Sequence, residues 1–249
     1  MSTDATWHDK ITAQLGGAEN YGKGILPNPF IHENDEWVRR AFSVRAIEQI
    51  TRKIESLFEP RFITVPEISE TIAAIITMTN ARRILEVGTC TGYTTLHILR
   101  AIIGKQGAKV TSVDPRPAFD AEFFASFAPW VEMVNGWSPQ IFETMQGEVF
   151  DAVFVDSDHS LEHTQIEWAA LQSITRKGTI FFFHDVPEWR TLDNRTAPPV
   201  RTWLESLVTD GALRGLCLPS CEQLDCREEY GAGYPQECNP GLGIFIRNK

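Results

Sequence analysis

Five short apolar runs alternate with stretches of helical spacing through the middle of this chain, and that rhythm limits the fold more than any other feature. The runs fall at 84–87, 110–113, 131–134, 152–155 and 179–183, and the helical stretches between them at 94–103, 119–127, 139–145 and 161–174. Strands joined by helices lie parallel, because the chain must cross back over a sheet face before the next strand begins. A strand covered on both faces reads as an unbroken apolar run, as Phe181-Phe182-Phe183 does. Upstream, Trp37, Ala41, Val44, Ile47, Ile50 and Ile54 recur at helical steps over 33–57, and Pro66 opens a second helix over 66–79. Downstream come a helix at 200–207, a run at 213–218 and a last strand at 242–246. The expected fold is therefore α/β, a doubly wound and mostly parallel sheet with an N-terminal helical cap. Residues 1–60 are read as that extension. Residues 61–249 are read as one domain, with an insertion at 217–240 rich in Glu, Cys, Gly and Pro.

Composition narrows the partners. A chain of 249 residues supports one good-sized core and a small cap. The formal net charge of -10 repels phosphate backbones, and the densest basic clusters are the pairs Arg39-Arg40 and Arg82-Arg83, so nucleic acid is not an expected partner. No apolar run approaches the roughly 18 residues that span a bilayer, and the N-terminus has no charged-then-apolar export pattern. The expected compartment is cytosolic, without membrane contact. Cys90 lies within a glycine turn, whereas Cys217, Cys221, Cys226 and Cys238 cluster near the C-terminus. These four could hold zinc or form two bridges. They contain no C-x-x-C pair, and in a reducing compartment free thiols are the expected state.

Open parallel sheets bind ligands at the carboxyl ends of their strands, near the point where strand order reverses. The first strand ends in Glu86-Val87-Gly88-Thr89-Cys90-Thr91-Gly92, a Glu-x-Gly-x-x-x-Gly turn that runs into a helix. It lacks the third glycine of a dinucleotide site. It suits a single adenosine bearing an amino-acid tail, which points to S-adenosylmethionine. Gly88 allows close backbone approach, Gly92 allows the turn, and Thr94 or Thr95 can add a hydroxyl at a helix start suited to a carboxylate. Glu86 can hold the methionine ammonium or order the loop. Asp114, at the end of the second strand, can accept both ribose hydroxyls or merely cap a helix. Trp137, after the third strand, can stack on adenine or serve packing alone.

The fourth and fifth strands end in Asp156-Ser157-Asp158-His159 and in His184-Asp185. Carboxylates with imidazoles at adjacent strand tips suit a divalent metal. The plainer alternative is that Asp158 or Ser160 caps the next helix and His184 is satisfied by backbone. His163 lies one helical turn after His159; such a pair can bind zinc, but no third ligand is evident and His163 reads as surface or supporting.

These segments together resemble the class I S-adenosylmethionine-dependent methyltransferases. Within them the likeness is to metal-dependent small-molecule O-methyltransferases of the catechol and caffeoyl-CoA type and to relatives acting on sugars and antibiotics. It runs from about residue 64 to 186, through Ile63-Thr64-Val65-Pro66, Leu85-Glu86-Val87-Gly88-Thr89, Gly92-Tyr93-Thr94, Val155-Asp156, Lys177-Gly178-Thr179 and His184-Asp185. The resemblance implies a Rossmann-like sheet with an antiparallel last strand. It also implies S-adenosylmethionine, a divalent metal such as Mg2+, a small hydroxylated acceptor, and often a homo-oligomer. By position it makes Glu86, Gly88, Thr89, Gly92, Tyr93, Thr94, Asp114, Trp137 and Asp156 the cofactor contacts, with Thr94 on the methionine carboxylate. Asp156 matches the first metal-binding Asp, and His184 and Asp185 stand where the family has an Asp-Asn ligand pair. His159 stands where the catechol and caffeoyl-CoA enzymes place a lysine base, and imidazole suits that role at neutral pH. The implied reaction is in-line attack of a hydroxyl oxygen on the sulfonium methyl, with Asp156 and His159 as the catalytic pair. Trp189, Arg190, Arg195 and Trp203 are expected near the acceptor. Two rival readings are a metal-independent N- or O-methyltransferase with His159 or His184 as base, and a non-catalytic cofactor-binding subunit.

Overall fold

Most strands form where β-branched and aromatic residues run together, the leucine-rich strand at 213–218 being the exception, and each helix starts at a proline, a glycine or a hydroxyl cap. The computed structural model describes residues 44–45, 47–52, 64–118, 124–125, 127–158, 160–186, 199–218 and 241–249. In chain order the elements are α1 (Pro66–Thr79), β1 (Arg83–Val87), α2 (Tyr93–Ile102), β2 (Lys109–Asp114), β3 (Val131–Asn135), α3 (Ser138–Thr144), β4 (Phe150–Val155), α4 (Leu161–Leu171), β5 (Thr175–Phe183), α5 (Pro199–Thr209), β6 (Leu213–Leu218) and β7 (Leu242–Arg247). They build a seven-stranded sheet in the order β3-β2-β1-β4-β5-β7-β6. The first five strands pair in parallel, while β7 lies antiparallel between β5 and β6. This is the expected doubly wound sheet with its antiparallel last strand. Strand order reverses at the β1–β4 border, which is where such a sheet binds its ligand.

Alternate residues of one strand feed different cores. Ile84, Val110, Phe154 and Phe182 pack with Ile72 and Ile76 of α1 and Leu99 of α2. Leu85, Val87, Val155, Phe181 and Phe183 pack with Phe142 of α3, Leu171 of α4 and Leu204 of α5. Both faces of the sheet are thus covered, and full burial of one such Phe contributes about 2–3 kcal/mol. The period of two has a second consequence. Glu86 shares a face with Ile84, so it points toward α2 and away from the α4 side.

One boundary differs from expectation. The helix read over 161–174 stops at Leu171, and β5 begins at Thr175 rather than 179. Thr175 pairs with Phe150 and Ile180 with Ala152, so the intervening residues bulge out of register. Arg176, Lys177 and Gly178 are exposed and carry no apolar signal. Of the N-terminal cap read over 1–60, only helical residues 44–45 and 47–52 lie among those described. Of the insertion read over 217–240, Cys217 and Leu218 close β6, and residues 219–240, with Cys221, Cys226 and Cys238, lie outside the described residues. Among the described residues no helix is long and apolar enough to cross a membrane.

Candidate functional site

The strand tips are stitched together one hydrogen bond beyond the strands themselves. Gly136 N–H donates to Asp114 O (3.1 Å), Gly88 N–H to Val113 O (2.9 Å), Asp156 N–H to Val87 O (2.8 Å) and His184 N–H to Val155 O (3.0 Å). This row fixes the expected functional residues along one rim. Gly88 sits in it at φ +94°, and a Cβ placed there would lie 1.9 Å from the carbonyl oxygen of Asp156. The close approach read from this glycine is therefore made to the end of β4.

Asp114 organises the turn. Its Oδ2 accepts from the N–H groups of Thr89 and Cys90, both at 2.9 Å, and its Oδ1 from Arg116 N–H at 2.6 Å. Three of the roughly four acceptor sites of this half-buried carboxylate are thereby used, which leaves about one, on Oδ1, for a ligand hydroxyl. Thr89 is buried and hydrogen-bonds Ser112 through its hydroxyl (2.6 Å). Gly92 N–H donates to Thr89 O (2.7 Å), and the Gly92 carbonyl accepts from Leu96, the first bond of α2. Tyr93 is buried with its ring against His97, and the Thr94 hydroxyl meets Ser69 of α1 at 3.2 Å. Of these two, only backbone faces the turn's mouth. Trp137 is 57% exposed beside the tip of β3, so its indole is open to a planar ligand. Burial and Asp114 push the Cys90 thiol up to about 12, which leaves it inert.

Glu86 lies beneath the turn, fully buried. Its Oε2 accepts from Thr95 Oγ1 (2.5 Å) and Ser112 Oγ (2.6 Å), whereas Oε1 has no partner among the described residues. Of the two roles read from the sequence, the bonds to Thr95 and Ser112 accord with ordering of the turn. Burial raises its carboxyl to about 8, against the two hydroxyl bonds and with help from Asp156 and Asp114. The folded protein therefore keeps a proton that the unfolded chain sheds near its ordinary value of 4.5. Stability from this group is complete below that value and is lost as pH rises through about 8. Glu86→Gln is expected to gain on the wild type by about 3–5 kcal/mol between pH 5 and 8.5. Urea unfolding at three pH values reads this, and a constant difference between the two proteins would refute the buried proton.

Asp156 is held at both oxygens. His184 Nδ1 lies 2.8 Å from Oδ1, and the Thr64 hydroxyl donates to Oδ2 at 3.0 Å. Asp185, in the left-handed region at φ 51°, brings its Oδ1 to 3.4 Å from the same Nδ1. The structure thus joins Asp156, His184 and Asp185, as expected, and adds Thr64, which sequence reasoning passed over. Its position just before the Pro66 helix, among the residues of the resemblance, was the available signal. Asp158 is not in this cluster: it is exposed and accepts from Ser160 N–H (2.8 Å). Ser160 caps α4 by accepting from His163 N–H. His159, Trp189, Arg190 and Arg195 lie outside the described residues. His163 turns to Glu167 (3.0 Å) rather than forming a zinc pair. A small cleft opens between the tips of β4 and β5 and the α4–α5 side, bounded by Ser157, Thr164, His184, Asp185 and Val200.

The donor set gives a test for the implied metal. Two carboxylates and an imidazole have suitable chemistry. As arranged, however, Nδ1 is spent on the carboxylates, and among the described residues no group of three or more His, Cys, Asp or Glu side chains is disposed to hold an ion. The residues do not fit a metal without rotation of the imidazole.

Comparison with known proteins agrees with the fold. Residues 85–186 match a family described as a methyltransferase domain. The chain is 30% identical over 131 residues to catechol O-methyltransferase of Mycobacterium tuberculosis, covering 51% of this chain and 58% of that one. It spans about half the length of the curated relatives it matches. A crystal structure of an O-methyltransferase from Bacillus cereus in complex with SAH superposes with a TM-score of 0.58 at 18% identity, over 95% of this chain and 100% of the other. The O-methyltransferase TomG from Streptomyces achromogenes, involved in tomaymycin synthesis and solved with SAM, gives 0.55 at 17% identity over 100% of both chains. At such identities the likeness is one of fold.

Proposed function

We propose that this chain, whose residues 85–186 match a methyltransferase domain, moves the methyl group of S-adenosylmethionine onto a hydroxyl oxygen of a small molecule. One observation carries the reading: the glycine turn and the Asp156–His184 pair share the β1–β4 border, in backbone contact through Gly88. When bound, the sulfonium supplies an activated methyl with a neutral thioether as leaving group. The chain's own task is then placement. Asp114 would take a ribose hydroxyl, the N–H groups opening α2 would take the carboxylate, and Trp137 would cover the adenine. The acceptor enters from the cleft beside Thr164 and Val200. Its oxygen attacks the methyl carbon in line as the carbon–sulfur bond breaks, and its proton passes to the imidazole of His184, whose Nε2 is buried in this structure and reaches the acceptor only once the ring turns. Asp156, held from behind by Thr64, orients that ring and stabilises it once charged, a role carboxylates play beside catalytic histidines. Glu86 stays below the turn as a neutral prop.

No step is routed through a divalent ion, because the imidazole already occupies the carboxylates. The test is a turnover assay with labelled S-adenosylmethionine and a panel of catechols, sugars and phenolic natural products, before and after exhaustive chelation. Methyl transfer that survives chelation is the expected result. Loss on chelation with recovery on added Mg2+ would replace the imidazole route by a metal-held acceptor. No transfer to any acceptor, with binding of S-adenosylhomocysteine intact, would favour the non-catalytic subunit.

A further inference from the structure

We infer that Glu167 is a positioning residue for methyl transfer, a buried brace that sets the adenine side of the site against its reactive side. The inference rests on the reading above. Glu167 lies on α4 and is 0% exposed, yet it belongs to none of the groups so far given a role. Its carboxylate gathers three separate segments. Ser138 Oγ, at the start of α3 and next to Trp137, donates to Oε1. Ser157 Oγ, next to Asp156, lies 2.8 Å from Oε1 and 2.7 Å from Oε2. His163 Nε2, one turn earlier on α4, lies 3.0 Å from Oε1.

Burial of a carboxylate is costly unless hydrogen bonds surround it, and replacing such a group together with its partners by apolar residues of similar size is often neutral or stabilising. Stability alone therefore does not explain Glu167. Its bonds do something a methionine could not: they tie the turn after β3 to the turn after β4. Those turns carry Trp137 and Asp156, which lie on opposite sides of β1 and β2 in strand order. Without the brace, the two ends of a bound adenosyl amino acid are held by independently moving loops, and a misplacement of about 1 Å can cost on the order of 100-fold in rate.

The experiment compares Glu167→Gln, Glu167→Met and the double change Ser138→Ala/Ser157→Ala with the wild type. It reads the melting temperature, the S-adenosylhomocysteine Kd by calorimetry, and kcat and KM by turnover. Gln can accept from one serine and donate to the other, so it should stay within about 3-fold of wild type. Met should melt within a few degrees of wild type, whereas the double serine variant, which leaves the buried carboxylate with His163 alone, should melt lower. Both should raise Kd and the KM for S-adenosylmethionine about 10-fold and lower kcat by a similar factor. Unchanged Kd, KM and kcat in well-folded Met and serine variants would overturn the brace while leaving the methyl-transfer reading intact. A wild type that binds S-adenosylhomocysteine but transfers no methyl sinks that reading, and the Kd arm still decides the brace. A wild type that does not bind it overturns both.

Discussion

Gly88→Ala should lower stability by about 3–5 kcal/mol, at the upper end of what single substitutions do. The added Cβ would lie 1.9 Å from Asp156 O and 2.6 Å from its carbonyl carbon, atoms that belong to backbone and cannot swing aside. The residue's φ of +94° adds strain for any L side chain. Relief requires β1 and β4 to part at their tips, which breaks the bond of Asp156 to Val87. For a chain of this size the loss corresponds to a fall in melting temperature of about 6–20 °C. Gly147→Ala is the matched control. Its φ is nearly the same, +93°, but nothing lies within 4 Å of a Cβ there, so only the conformational strain remains, about 1–2 kcal/mol. Equal losses at the two positions would show that the contact with Asp156 has no energetic weight.

The largest effect on rate is expected at His184. Removing the proton acceptor by His184→Ala should lower kcat by about 10²–10⁴-fold, with the affinity for S-adenosylhomocysteine changed by less than about 3-fold. Asp156→Asn should bring a comparable loss, because the amide cannot stabilise a charged ring in the same way. The two changes combined should cost little more than either alone, since residues that act as one unit are strongly non-additive. Full additivity of the two losses, measured in single-turnover experiments, would break the pair into independent contributions.

Most of the sheet was legible because burial on both faces leaves long apolar runs. Phe181 to Phe183 announces β5, and Val110 and Val113 announce β2. The start of β5 was not, since Arg176 to Gly178 bulge into solvent and only Thr175 returns to pair with Phe150. The site was legible at the level of which strand tips carry polar groups. It was not legible at the level of partners, because these come from far along the chain: Thr64 reaches Asp156 across 92 residues and Ser138 reaches Glu167 across 29. Glu86 illustrates the limit. An acid before a glycine turn can face ligand or core, and only the side of the strand facing α2 decides for the core. Glu167 was within reach. Leu161, Thr164, Trp168 and Leu171 trace the inner stripe of α4, and a glutamate beside that stripe needs partners.

The antiparallel seventh strand has a consequence for how acceptor choice could diverge. Gly243 pairs with Phe183 and Leu242 with Leu218, so the chain both leaves the sheet after β6 and re-enters it at β7 on the rim that carries His184 and Asp185. Val186 N–H even donates to Gly241 O at that point (3.3 Å). Twenty-two residues, 219–240, connect these two ends in the sequence. Under the proposed reading, changes of length or sequence confined to that segment leave Gly88, Glu86 and Asp114 as they are, so acceptor choice can shift while the glycine turn is kept.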